Sequence, residues 1–235
     1  MILAANQPYF FPYLGWWQLI KAADLFLISD DYNFIRKGWI TRNRILVNGK
    51  EAFFRIEVKG QSSFKLIKDM EIVPPDKGNK LRTLEMAYHK APFFNTGMAL
   101  AERVLSFPER NLSLFLENSI REVCSCLGIT TPLLRTSDLL GNNRFKREER
   151  IYDFCARTGA DTYINAIGGM RLYDPEEFAR RGIKLLFLKS GLPEYPQPCS
   201  SFVPGLSIMD AIMCNSREAL AAMLDDYTLI EGRHG

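Results

Sequence analysis

Two adjacent carboxylates, Asp30 and Asp31, follow directly on the apolar run Leu25-Phe26-Leu27-Ile28. A carboxylate at the end of a strand can hold a divalent metal ion. One buried near another negative group has a raised pKa and can accept a proton. Neighbouring strand residues point to opposite faces, so both aspartates enter one pocket only if the chain turns there. Further on, Arg36, Lys37, Arg42 and Arg44 surround Trp39. Arginine grips phosphate or carboxylate through two parallel N–H bonds, and lysine adds a mobile point charge. On a strand Arg42 and Arg44 share a face, with Asn43 opposite. This pattern fits an anionic metabolite such as a nucleotide-activated sugar; its plain alternative is a solvated hairpin face. Asn165 stands just before Gly168-Gly169, where backbone N–H groups can approach a phosphate or carbonyl. The pair lacks the spacing of the dinucleotide fingerprint and of the P-loop, so a tight connection to Tyr173 is an equal reading. Asp30, Asp31 and Asn165 are the candidate catalytic groups. Tyr9, Tyr13 and Tyr173 can donate hydrogen bonds or stack on a sugar or base.

The inventory excludes other chemistries. The two histidines, His89 and His234, cannot build a histidine-rich metal centre, and a Ser-His-Asp arrangement could use only His89. Five cysteines without framework spacing, with Cys124 and Cys126 as C-x-C, fit free thiols in the cytoplasm. Cys155 and Cys214 read as packed thiols rather than nucleophiles. A formal charge of +3 gives no basic face for nucleic acid. The uncharged stretch from Met1 to Ile20 has no basic leader, and Asn6, Gln7, Pro8 and Pro12 interrupt it. It therefore reads as neither a signal peptide nor a membrane span, which needs about 20 apolar residues.

The elements that position these groups follow from patterning. Ile2 to Asn6 reads as a short buried strand, and Pro8 and Pro12 keep the next residues extended or turned. Gln7 through Trp17 forms an aromatic bend, the floor or wall of a ligand site, from which Leu14 to Ala23 continues as a helix. Asn48-Gly49 between two strand-like runs marks a hairpin excursion over residues 38–58. Lys59 to Asn79 reads as a polar surface connection. Residues 81–127 form a largely helical insertion or crossover, with helices over Leu81–Lys90, Thr96–Ser106 and one capped by Asn111. Further helices are expected from about Asn143 to Thr158, after Asp174-Pro175 with Glu177 as capping partner, from Ser207 with Asp210 at the matching spacing, and over Arg217–Leu224. The last residues, with Gly232 and Gly235, are expected to fray. Gly128, Gly159 and Gly182 each end a helix before a short apolar strand. The expectation is a single α/β domain over residues 1–235, built on a mostly parallel sheet of about five strands with helices on both faces. At 47% apolar residues such a core is affordable. Ligands of open α/β sheets bind beyond the carboxyl ends of the strands. That edge would carry Asn6-Gln7, Asp30-Asp31, Ser137-Asp138, Asn165 to Gly169, and Lys189.

These residues together resemble the WbqC-like protein family. The resemblance rests on Gln7-Pro8-Tyr9-Phe10-Phe11-Pro12-Tyr13-Leu14-Gly15, Asp30-Asp31, Lys37-Gly38-Trp39 and Arg42-Asn43-Arg44-Ile45. It continues through Lys90-Ala91-Pro92-Phe93-Phe94, Tyr163-Ile164-Asn165, Gly168-Gly169, Leu172-Tyr173-Asp174 and Leu206-Ser207-Ile208-Met209-Asp210. It implies a place in bacterial surface-polysaccharide biosynthesis, particularly at O-antigen loci, without assigning a reaction. The leading expectation is a transferase acting on a nucleotide-activated sugar or amino sugar. A noncatalytic binding or assembly factor for polysaccharide enzymes is the alternative of a different class. The strand–Pro–Leu-Gly–helix opening is also similar to the adenylate-binding part of nucleotidyltransferase-type domains. Pro12-Tyr13-Leu14-Gly15 has no paired histidines and no lysine-serine loop follows, which leaves nucleotidyl transfer as a third alternative.

Overall fold

Alternation along the first strand sets the architecture. In β1 (Ile2–Asn6), Leu3 and Ala5 join Ile151, Phe154, Cys155 and Phe178 in one apolar cluster. Ala4 faces the other way, into a larger cluster with Trp17, Ile20, Ile120 and Leu224. A strand buried on both faces is what a parallel sheet between helical layers requires. The computed structural model describes residues 1–139 and 144–232 of the 235-residue chain.

The main sheet contains β1, β2 (Leu25–Ile28), β5 (Leu133–Arg135), β6 (Thr162–Ala166), β7 (Lys184–Ser190) and β8 (Tyr227–Glu231). Its order is β5-β2-β1-β6-β7-β8; the first five run parallel and β8 is antiparallel to β7. The chain builds outward from β1 through β2 to β5, then returns to the far side of β1. The order therefore reverses between β1 and β6. A separate two-stranded sheet joins β3 (Arg42–Val47) to β4 (Lys50–Arg55). Asn48 and Gly49 turn between them with φ of 51° and 72°, as the tightest hairpins require.

The helices are α1 (Leu14–Lys21), α2 (Lys77–Tyr88), α3 (Phe94–Leu105), α4 (Leu112–Leu127), α5 (Glu148–Thr158), α6 (Pro175–Arg180), α7 (Ile208–Cys214) and α8 (Arg217–Asp225). Asn111 caps α4 by accepting from the Leu114 amide, and Gly128 and Gly159 end α4 and α5 in the left-handed region. Of the helix expected from Asn143, the described part begins at Glu148; Asn143, like His234 and Gly235, lies outside the described residues.

Four expectations are corrected. No strand is expected after Arg217–Leu224, yet Tyr227–Glu231 forms β8, because β7 offers an open edge and this segment supplies β-branched and aromatic residues to pair with it. The polar stretch after Lys59 is anchored inward by Ile67, Met70 and Ile72, each at most 1% exposed. Asp174 caps α6 through the Glu176 amide with no return bond from Glu177. Ser207 caps α7 through the Met209 amide, but the Asp210 carboxylate turns away to Tyr88, Tyr195 and Gln197.

The aromatic bend lies between β1 and α1. Phe10, Phe11 and Trp17 are fully buried, and Phe11 has a φ of 45°. Ser207 holds it from the other end of the chain: its hydroxyl donates to the Phe11 carbonyl at 2.9 Å, while the Ile208 amide and the Trp17 indole both donate to the Pro12 carbonyl. Ser207→Ala removes the bond to Phe11 and the α7 cap together. A loss of about 1–3 kcal/mol is expected, read as a lower urea midpoint with an unchanged denaturant slope.

Candidate functional site

The ends of β1 and β6 open a cleft of about 370 Å³ at the reversal of strand order. This is where open α/β sheets bind ligands, and the size falls within the usual range of about 300–1,000 Å³. Asn6 and Gln7 enter it from β1, Asn165 and Ala166 from β6, and Gly168, Gly169 and Tyr173 from the segment that follows. Tyr9, Ser29, Tyr32 and Tyr163 complete its sides. None of the described residues lining it is charged.

Each strand end is shaped by its own asparagine. The Asn6 side-chain oxygen accepts from the Gln7 amide at 2.8 Å, and the Asn165 oxygen accepts from the Ala166 amide at 2.7 Å. Both strands thereby end in tight polar turns that present carboxamides to the cleft. The Asn165 and Tyr163 side chains adjoin the Tyr173 hydroxyl, and the Tyr163 and Tyr173 rings lie 6.0 Å apart edge to face. A Cβ added to Gly169 would stand 2.9 Å from the Asn165 side-chain nitrogen, whereas one added to Gly168 meets nothing. Gly169 is thus a close-approach glycine, and neither of the two sits at positive φ. Burial pushes the phenols of Tyr9, Tyr32 and Tyr173 above their ordinary value of 10.0, so they stay protonated donors.

Asp30 and Asp31 lie behind this cleft rather than in it. The chain does turn after β2, where the Asp30 amide bonds the Ile28 carbonyl at 2.9 Å. Asp30 is 0% exposed and accepts from the Ser113 hydroxyl at 2.6 Å, and from the Ser137 hydroxyl and amide at 2.8 and 3.0 Å. Asp31 accepts from Thr136 at 2.6 Å and takes the Arg150 guanidinium at 2.7 Å on both oxygens. That guanidinium also lies 4.3 Å over the Tyr32 ring. The two aspartates therefore fasten β2 to the end of β5 and to α5, and hold a wall of the cleft through Tyr32. Among the described residues no group of three His, Cys, Asp or Glu side chains is arranged to hold a metal ion.

The remaining candidates sort into two further pockets. Tyr9, Tyr13, Pro12, Trp39, Asn43 and Arg44 line one of about 270 Å³, with Leu192 and Gly205. Tyr9 borders both this pocket and the cleft, so the two adjoin. Arg44 is tied to Glu51 at 2.7 Å and to the Pro204 and Gly205 carbonyls. Lys37 and Arg42 line a third, polar pocket with Arg55. The structure thus brings Gln7, Tyr9, Asn165, Gly168, Gly169 and Tyr173 together and places Tyr13, Trp39 and Arg44 next door. It sets Lys37 and Arg42 apart. Ser137 reaches Asp30, but Asp138 pairs with Arg135 at the surface.

Three groups escape a reading of the sequence. Arg150 sits in a charged run, yet it precedes Phe154 by four residues and so shares the buried face of α5. Gln18 is 0% exposed and its amide nitrogen donates to the carbonyls of Gly191, Met223 and Asp226, joining α1 to both ends of β8's connection. Asp210 collects Tyr88, Tyr195 and Gln197 and pins the segment that carries Leu192 and Gly205. Arg150 carries a signal in its spacing from Phe154, whereas the capping spacing of Asp210 misdirects.

A doubly wound α/β domain with an uncharged cleft at its strand-order reversal is the class that fold and site define. The chain belongs to the WbqC-like protein family, which it matches over residues 7–222 and which is implicated in polysaccharide biosynthesis. It is 28% identical over 222 residues to the uncharacterized protein Rv1507c of Mycobacterium tuberculosis (strain ATCC 25618 / H37Rv), covering 92% of this chain and 95% of the relative. No solved structure matches it. Among the described residues no helix is long and apolar enough to cross a membrane.

Arg150→Met leaves Asp31 as a buried charge without its partner. A loss of about 3–5 kcal/mol is expected from urea unfolding, with most of it recovered when Asp31→Leu is combined. The buried phenols set a pH limit as well. Their folded-state pKa values lie above the unfolded value of 10.0, so the unfolded chain loses these protons first. Their contribution to stability is whole below about pH 10 and falls as pH rises beyond it; unfolding midpoints measured from pH 8 to 11 would show the drop.

Proposed function

We infer that the protein is a transferase acting on a nucleotide-activated sugar or amino-sugar intermediate in bacterial surface-polysaccharide biosynthesis. The observation that carries this reading is the uncharged, carboxamide- and phenol-lined cleft at the β1–β6 reversal. A sugar offers hydroxyls that pair with neutral donors and acceptors, and a ring face that packs on aromatic groups. In this reading Gln7 and Asn165 hydrogen-bond the glycosyl group, and Tyr9 and Tyr173 shape the space around it. Arg44, beyond Tyr9, meets the phosphate of the donor by exchanging its contacts with Glu51 and the Pro204 and Gly205 carbonyls for it. The Asn165 carboxamide offers fixed electrostatic stabilisation where negative charge develops. Asp30 and Asp31 are positioning residues that act through Thr136, Ser137 and Arg150.

A second reading is a noncatalytic assembly factor for polysaccharide enzymes. It is favoured by the Trp39–Phe53 pair, whose rings lie 6.4 Å apart and are 44% and 51% exposed. Under that reading Trp39→Ser with Phe53→Ser abolishes pull-down of pathway proteins, and cleft substitutions leave it intact.

The transferase reading is tested by incubating the purified chain with a panel of nucleotide-activated sugars and following binding by calorimetry and products by mass spectrometry. Saturable binding that weakens about tenfold or more (about 1.4 kcal/mol) in Asn165→Ala and Gly169→Ala, but not in Gly168→Ala, is expected. The two glycine variants differ only in whether Asn165 must move. A full panel giving neither binding nor product overturns the reading.

A further inference from the structure

The β3–β4 hairpin places two arginines directly opposite one another. Arg42 on β3 is the register partner of Arg55 on β4, and facing residues of an antiparallel pair project from the same side of the sheet. Like charges in that position repel and destabilise the pair. The same face shows how the chain neutralises an arginine when it does: Arg44, two residues along, is held by Glu51 at 2.7 Å. Arg42 and Arg55 have no such acid among the described residues. Arg42 donates to the Lys37 carbonyl and lies 4.2 Å over the Phe53 ring. Its Nε, like that of Arg44, is shielded from water and has no partner among the described residues, a desolvated donor left unsatisfied.

Lys37 completes the arrangement. It adopts a φ of 58° although it is not glycine, the kind of backbone cost that persists where surrounding structure or function demands it. Lys37, Arg42 and Arg55 line one pocket of about 370 Å³, with Thr41, Glu57 and Gln61 on its walls. Glu57 is the acid of that lining, so the pocket keeps a net of two positive charges.

The geometry points to a binding site for a dianionic phosphoryl group between Lys37, Arg42 and Arg55, separate from the sheet-end cleft. Two guanidinium groups lining one pocket can each offer N–H donors to one tetrahedral oxyanion, and Lys37 adds a mobile charge. The charge left over in the pocket matches a doubly ionised phosphate monoester. Binding would convert the repulsion across the hairpin into a bridge. The site does not depend on the sugar-transfer reading and is tested apart from it.

The test uses the full chain with inorganic phosphate and diphosphate, followed by calorimetry and by thermal unfolding at fixed ionic strength. Vesicles with and without phosphatidic acid form a separate arm. Saturable binding of one anion per chain is expected, weakened about tenfold or more in Arg55→Gln, together with a rise in the unfolding midpoint on adding phosphate that Arg55→Gln lacks. Arg55 is exposed, so this variant is expected to fold, and without phosphate it should be at least as stable as the parent because the facing charge is gone. Binding to phosphatidic acid vesicles, lost in Arg55→Gln and without a response to the soluble anions, would place the phosphoryl group on a lipid. Absence of any response, or an equal response from parent and Arg55→Gln, overturns the proposal. Nucleotide-sugar binding at the cleft should be unchanged in Arg55→Gln; its loss together with phosphate binding would contradict the separation of the two sites.

Discussion

The turn that follows β1 constrains everything around the site. Pro8 and Pro12 restrict the backbone on either side of Phe11, which sits at a φ of 45° that a bulky side chain rarely adopts. That conformation lets Phe10 and Phe11 enter the core while Tyr9 and Tyr13 remain at its margin, beside the ligand space. It survives because the far end of the chain holds it: Ser207 bonds the Phe11 carbonyl and Ile208 bonds the Pro12 carbonyl. The segment carrying Leu192 and Gly205 is fixed in turn through Asp210. The two pockets that share Tyr9 therefore rest on contacts between residues about 200 positions apart, closed only when the whole domain has folded.

A second constraint bears on the neutrality of the cleft. The two carboxylates that follow β2 are engaged within the protein. Asp31 is paired with Arg150, and Asp30 is surrounded by hydroxyl and amide donors. A buried ion pair contributes little net stability compared with apolar packing, but losing one partner is expensive. Such groups fix geometry: Arg150 cannot leave Asp31 cheaply, so the face it presents to Tyr32 is fixed too. The carboxylates singled out in the sequence are held by hydroxyl, amide and guanidinium donors, and Asp31 meets the wall of the cleft through Arg150 and the Tyr32 ring.

This difference marks where the sequence was legible. Periodicity and caps located the parallel strands, the helices from α1 to α8 and the hairpin, because those signals are local and carry their own physics. The convergence of Gln7 and Asn165 followed from topology, since parallel strands must release their carboxyl ends on one side. The fates of Asp30 and Asp31 did not follow, because burial depends on Ser113, Thr136 and Arg150, all more than 80 positions away. β8 was missed for a related reason: its pairing depends on the open edge of β7. Arg42 and Arg44 share a strand face as their spacing required, yet Glu51 neutralises one and Arg55 confronts the other. Spacing gives the face; the partner strand decides the electrostatics.

That contrast also separates two kinds of surface within the chain. At the sheet end the described lining carries no charge but amides, phenols and a close-packed glycine, groups suited to discrimination by shape and hydrogen-bond direction. On the hairpin it has left Arg42 facing Arg55 across a strand pair that Phe53, Phe54 and the α2 helix pack against. Neutral amides gain little from a dianion at long range, and unpaired arginines have little to offer a hydroxyl beyond what water already supplies. Ligand chemistry suited to one surface is poorly suited to the other. A molecule engaging both would need a polar ring at one end and concentrated negative charge at the other, with Tyr9, Trp39 and Arg44 lying on the path between.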